Sequence, residues 1–363
     1  MEKIRVLVVD DSLVVRRALR ECFRTDPEIE VVGVAEDGAR ALEQIRSLSP
    51  DVVTLDIEMP VMDGLETLRT LRDQGSELPI IMFSKHTTAG ATATIEALEL
   101  GASDVVAKPE ADGSGGGSVE AVKRQLATRI RALGRKARKA RNRPYTGPNG
   151  PDPEVEQQEL EPFQAPRSVE AIGIAISTGG PSALIELVTG LSADLHVPIF
   201  VTQHMPEMFT RLLAERLSVR GVLPVHEAAN GMVVKPGNIY IAPGNFHLEV
   251  GRKQREIVIN VSQAPHENSC RPSADVMYRS LVKLYGARLL GIVMTGMGQD
   301  GKRGCELIKS AGGCVVAQDE ASSLVWGMPR AVVTANLHDA VVPLSGIASL
   351  INATRPKGKK GES

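Results

Sequence analysis

The sequence predicts two α/β units, each built on a parallel sheet and joined by a charged linker. Three observations carry that expectation. Short β-branched runs alternate with amphipathic stretches over residues 1 to about 109, and again from Ala171 onward. Such alternation builds a parallel sheet covered by helices. Between the two series the composition breaks. RALGRKARKARNR at 131–143 holds seven basic residues and no acid, PYTGPNGP follows, and PDPEVEQQELE at 151–161 holds five acids and no base. Blocky charge with Pro and Gly reads as a solvated linker. The length, 363 residues, fits two or three domains of about 150 residues. The expected boundaries are 1–133, a linker over 134–168, and a second domain over 169–356.

In the first unit, Ile4–Asp10, Val31–Glu36, Asp51–Ile57, Pro79–Ser84 and Asp104–Ala107 are apolar runs of strand length. Helical patterns lie between them, such as Ala39, Leu42 and Ile45. After the Gly/Ser break at 113–118, the residues Val119, Val122, Leu126, Ile130 and Leu133 step by three and four, which predicts one more helix. In the second unit, Ala171–Ser177, Val197–Gln203, Ala287–Thr295 and Cys314–Gln318 read as buried parallel strands. Helices are expected over Pro206–Leu217 and Ser273–Tyr285. Residues 222–262 alternate short strands with turn residues and read as inserted β-hairpins.

Composition removes several function classes. Lys and Arg total 42 against 44 Asp and Glu, a net charge of −2, whereas a general nucleic-acid binder needs a basic surplus. No apolar run approaches the ~18 residues of a membrane span. The start, MEKIRVLVVDDS, is not patterned as a signal peptide. Cys22, Cys270, Cys305 and Cys314 lack C-x-x-C spacing, so neither a zinc ribbon nor a disulfide framework is expected. A reduced, cytoplasmic setting fits.

Two sets of residues carry chemistry. In the first unit Asp10 and Asp11, Asp56, Ser84 and Lys108 fall at successive strand ends, the edge where parallel α/β sheets build sites. Three gathered carboxylates suit a hard cation such as Mg²⁺, and a hydroxyl with an ammonium suits a phosphoryl group. In the second unit Ser177 ends a strand and is followed by Thr178-Gly179-Gly180 and a helix, a turn suited to a nucleophile beside anion-stabilising N–H groups. The next strand delivers His204, and Asp300 lies in a glycine-rich loop after another strand. A catalytic triad needs that convergence. The same loop offers a competitor: Gly296-x-Gly298-x-x-Gly301, with Asp319 further on, fits a dinucleotide fingerprint. Arg271-Pro272-Ser273-Ala274-Asp275 reads as a helix start, with Ser273 as N-cap, and as a lining of the substrate cleft.

VLVVDDS, LDIEMPVMDGLE and VVAKP closely resemble a response-regulator receiver domain. The resemblance implies a flavodoxin-like five-stranded parallel sheet and phosphorylation of Asp56 by a histidine kinase. It further implies that Asp10, Asp11 and Asp56 hold Mg²⁺, while Ser84 and Lys108 read the phosphorylated state. Val105 stands where the family usually carries an aromatic switch residue, which leaves Ser84 as the retained half of that switch.

IAISTGGPSAL, VTQHMP, IYIAPG, RPSADVMYRS, VMTGMGQDG and WGMPRAV, following such a domain, resemble the CheB family of chemotaxis protein-glutamate methylesterases. That resemblance implies a doubly wound, mainly parallel catalytic domain. Its implied activity is hydrolysis of glutamate γ-methyl esters on chemoreceptors, with glutamine deamidation in the same site and no cofactor for the esterase chemistry. It implies Ser177 as nucleophile, His204 as base and Asp300 as its orienter, with the Met297 N–H and Thr178 at the oxyanion site. It favours a serine hydrolase over a nicotinamide oxidoreductase or a receiver-linked DNA-binding regulator.

Overall fold

The computed structural model describes residues 2–84, 88–108, 119–141 and 169–354. They divide into two compact units. In the first, β1 (Ile4–Val9), β2 (Ile29–Ala35), β3 (Val52–Asp56), β4 (Ile80–Ser84) and β5 (Asp104–Ala107) form one sheet in the order β2-β1-β3-β4-β5. Every pairing is parallel. Val6, Leu7, Val8, Leu55, Ile80 and Ile81 are fully buried, because strands covered on both faces have no solvent side to present. Helices α1 (Leu13–Phe23), α2 (Gly38–Leu48), α3 (Gly64–Asp73), α4 (Thr88–Glu99) and α5 (Val119–Arg141) complete the unit. α3 begins in a capping box, with Asp63 accepting from Glu66 N and Glu66 from Asp63 N.

α5 corrects the expected linker start. The helix runs to Arg141, past residue 134, and several of its arginines are paired with acidic residues of the same unit. Arg131 pairs with Asp26 at 2.6 Å and Glu28 at 2.8 Å, Arg135 pairs with Glu28, and Arg138 Nε donates to the fully buried Asp51 at 2.8 Å. The partners lie about a hundred residues away in sequence, so local charge density misreads the run. The remainder of the expected linker, and the acidic run at 151–161, lie outside the described residues.

The second unit is a seven-stranded sheet. Its strands are β6 (Ala171–Ile176), β7 (Ile199–Gln203), β8 (Val225–Glu227), β9 (Ile239–Ile241), β12 (Leu289–Val293), β13 (Cys314–Gln318) and β14 (Ala340–Val342). β10 (His247–Lys253) and β11 (Glu256–Ser262) form a separate antiparallel hairpin. The sheet order is β14-β13-β12-β6-β7-β9-β8, all parallel. The expectation of hairpins throughout 222–262 therefore holds only for β10–β11. β8 and β9 join the main sheet side by side in parallel, since the 228–238 crossover returns along the hairpin, where Gly231 N donates to Ile259 O and Val234 N to Ile257 O. Helices α6 (Gly180–Gly190), α7 (Glu207–Arg220), α8 (Ala274–Tyr285), α9 (Lys302–Ser310), α10 (Met328–Thr334) and α11 (Leu344–Asn352) fill the crossovers. The strand order reverses between β6 and β7 on one side and β12 on the other, the switch point at which such sheets place a crevice. Among the described residues, no helix is long and apolar enough to cross a membrane.

Candidate active site

In each unit part of the predicted set comes together: Asp10, Asp11, Asp56 and Lys108 in the first, His204 and Asp300 in the second. In the first unit, Lys108 Nζ lies 2.7 Å from Asp10 Oδ2 and 2.7 Å from Asp56 Oδ2, and all three side chains are buried. Asp10 Oδ1 also accepts from Ser12 N at 3.0 Å, fixing its carboxylate as α1 begins. Burial pushes the Asp56 carboxyl up, and Lys108 pulls it partly back. The oxygen ligand atoms of Asp10, Asp11 and Asp56 all lie within 4.8 Å of one another. Oxygen-only donors gathered so closely fit a hard divalent cation. Ser84 ends β4, and its Oγ donates to Gly90 O at 3.3 Å. Gly64 explains one residue of the MDGLE motif: a Cβ there would meet Asp56 O at 2.1 Å, so a side chain would displace the acidic strand end.

In the second unit, Ile176 pairs with Gln203 in the β6–β7 register, which places Ser177 and His204 side by side beyond the strand ends. His204 N donates to Ile176 O at 3.2 Å. Asp300 enters from the loop after β12 and lies 2.8 Å from His204 Nε2. Among the described residues no hydrogen bond joins Ser177 Oγ to His204. Catalytic contacts of this kind often tighten only with substrate bound.

Asp300 is held by more than the histidine. Its Oδ1 accepts from Ser273 Oγ at 2.7 Å and Asn268 Nδ2 at 2.8 Å, and Ala274 N donates to Oδ2 at 2.7 Å. Asp275 N adds a longer bond at 3.3 Å. The carboxylate thus caps the N-terminus of α8, where backbone N–H groups and the helix dipole favour negative charge. Burial raises the Asp300 pKa, but His204 and these donors outweigh it and hold the carboxyl down at about 2. For His204, burial lowers the pKa, while Asp300 and Cys270 raise it further, to about 10. An ionised Asp300 only accepts, so Nε2 keeps its proton and Nδ1 is the nitrogen that acts as base once the imidazolium loses its second proton.

Several of these partners escape sequence reasoning. Ser273 does precede α8 as expected, yet its side chain makes no cap bond and donates to Asp300 instead. Gln203 is buried, and its Nε2 donates to Ser177 O at 3.0 Å and His204 O at 3.2 Å, tying both backbones to one amide. Thr295 Oγ1 donates to Thr178 O at 2.9 Å, fixing the turn from the other side. Among the described residues no acceptor takes the Met297 N–H, the condition for an oxyanion donor.

The glycine-rich loop is tied at its first glycine to the approach to α10. Gly296 O accepts from Gly327 N and Met328 N, so the α10 approach pins the start of the loop while Gly298 and Gln299 stay exposed. A Cβ on Gly327 would meet Gly296 O at 2.7 Å. Asp319 is spent locally, accepting from Ser322 N at 2.9 Å.

Residues 172–351 match the family described as CheB methylesterase, and residues 6–114 the response regulator receiver domain. A protein-glutamate methylesterase/protein-glutamine glutaminase from Trichodesmium erythraeum is 44% identical over 97% of this chain and 99% of its own length. One so named from a Nocardioides species is 46% identical over 95% of this chain and 93% of its own. The crystal structure of the Thermotoga maritima CheB methylesterase catalytic domain is similar at 37% identity and a TM-score of 0.50, covering 51% of this chain and 98% of that domain. Such likeness along nearly the full length, with a receiver sheet and a hydrolase-type crevice in one polypeptide, places the chain in the CheB family of receiver-linked protein-glutamate methylesterases.

Proposed function

We propose that the chain hydrolyses glutamate γ-methyl esters on chemoreceptors, releasing methanol, and deamidates receptor glutamines in the same crevice. The observation that carries this reading is the ionised Asp300 on His204 Nε2, directly beside the Ser177 strand end. Ser177 Oγ attacks the ester carbonyl while its proton passes to His204 Nδ1. The oxyanion is received by the Met297 N–H and the Thr178 turn. His204 returns the proton to the leaving methoxide, or to the leaving amine of a glutamine side chain. Water, deprotonated by the same imidazole, then releases the glutamate and regenerates Ser177. Asp300 stabilises the imidazolium throughout and fixes its tautomer.

The receiver regulates this chemistry. Asp56 accepts the phosphoryl group from a chemotaxis histidine kinase, with Ser84 and Lys108 contacting it afterward. Asp10, Asp11 and Asp56 would hold Mg²⁺, which supplies charge neutralisation for phosphoryl transfer. The partners are then the kinase and the methylated receptor; neither nucleic acid nor membrane insertion enters the scheme, and the enzyme works in the cytoplasm. The first domain is taken to extend through α5, beyond the 1–133 expected from sequence, and the second to cover the expected 169–356. The test is methanol release from methylated receptor membranes, with and without a small-molecule phosphodonor. Release that phosphodonor stimulates supports the reading, and absence of release under both conditions refutes it.

A further inference from the structure

His204 presents two nitrogens to its surroundings, and Asp300 occupies only one. The other, Nδ1, lies 3.9 Å from Cys270 Sγ. Cys270 is half-buried, and its Sγ also donates to Asn268 O at 3.4 Å. Its loop is held in place: Cys270 N donates to Glu267 O at 2.9 Å and Glu267 N to Cys270 O at 3.1 Å. Arg279 grips the Glu267 carboxylate through two bonds, at 2.7 and 3.1 Å. The thiol is therefore delivered to the imidazole by a braced turn.

We propose that His204 Nδ1 and Cys270 Sγ form a site for a thiophilic divalent cation of the Zn²⁺ class, whose binding switches the hydrolase off. Zn–N bonds of about 2.0–2.1 Å and Zn–S bonds of about 2.3 Å let one ion bridge donors at this separation with an obtuse angle. Asp300 lies close enough to be counted with them. Its oxygens are already filled by His204, Ser273, Asn268 and the α8 amides, so it is not a ligand. It plays the outer role instead, a carboxylate on the far nitrogen that orients a metal-binding histidine. Binding releases to solvent the Cys270 proton as the thiolate forms, together with the Nδ1 proton where the ring is an imidazolium. The ion then occupies the lone pair that would take the serine proton. The regulatory half of this proposal rests on His204 as the base; the binding half does not.

The experiment uses the full-length chain and two readouts. Co²⁺ titration reports the site through a thiolate-to-metal absorption band, which the all-oxygen receiver cluster cannot produce. Hydrolysis of a small activated ester, read against Zn²⁺ concentration, reports the switch. Wild type should give the band and a chelator-reversible inhibition. Cys270→Ala should lose the band and need about tenfold more Zn²⁺, or higher still, for equal inhibition; Cys270→Ser repeats the comparison with a polar replacement. No band in wild type, or a Zn²⁺ sensitivity in the two variants equal to that of wild type, overturns the proposal. A chain that shows the band but hydrolyses no ester keeps the metal site and sinks the hydrolase reading, so the two failures are distinguishable.

Discussion

Ser177 supplies an oxygen that no neighbouring side chain can replace, so Ser177→Ala should reduce methanol release to near background with the fold intact. Asp300→Asn should lower kcat by about 10⁴, because an amide on Nε2 favours the wrong imidazole tautomer. Near-normal turnover in either variant would remove that residue from its role. The raised pKa of His204 gives a sign as well. Its basic form grows only as pH climbs above the ordinary imidazole range, so kcat/KM should still be rising beyond pH ~6.5. A pH profile already flat at neutrality would contradict it. At this scale Ser177, His204 and Asp300 were legible because each follows a strand whose end can be read from apolar runs. Asn268, Ser273 and Gln203 were not. Their partners come from other loops, and no spacing in the sequence records which loop a donor will face.

Among the elements, the loop after β12 depends on the approach to α10. Gly327→Ala would push against Gly296 O and displace the Met297 N–H. A misplacement of about 1 Å at a reacting centre costs up to ~10² in rate, so kcat should fall with KM little changed. An unaffected kcat would show that the loop yields elsewhere. α5 makes the complementary case for stability. Asp51 is fully buried and accepts from Arg138 and from Arg5 N, so Asp51→Ala leaves those donors without their acceptor. The receiver should lose about 1–3 kcal/mol in denaturant unfolding. The helical periodicity of α5 could be read up to Leu133. Its continuation could not, because arginines on a helix face and arginines in a solvated tether look alike until their distant carboxylates are placed. β8 and β9 were misread for a related reason: strands of three residues carry no signal of parallel or antiparallel pairing.

For the whole molecule, phosphorylation must change hydrolysis through two states that differ in affinity for the phosphoryl group. The simplest such scheme has the unphosphorylated receiver restricting access to Ser177. A fragment beginning near Ser168 should then hydrolyse receptor esters faster than the unphosphorylated full chain, and phosphodonor should raise only the latter. A folded fragment that is no faster would require the receiver to act by stimulation. Asp56→Asn, or chelation of Mg²⁺, should abolish labelling by acetyl phosphate; persistent labelling would relocate the acceptor.

The carboxylate that caps α8 has a consequence outside turnover. The amides of Ala274 and Asp275 donate to Asp300, which itself stands on His204. Deuterium uptake at those two amides therefore reports on the state of the catalytic pair in an enzyme holding no substrate. Anything that draws Asp300 off the helix end exposes them to exchange, which gives the resting site an isotopic signature of its own.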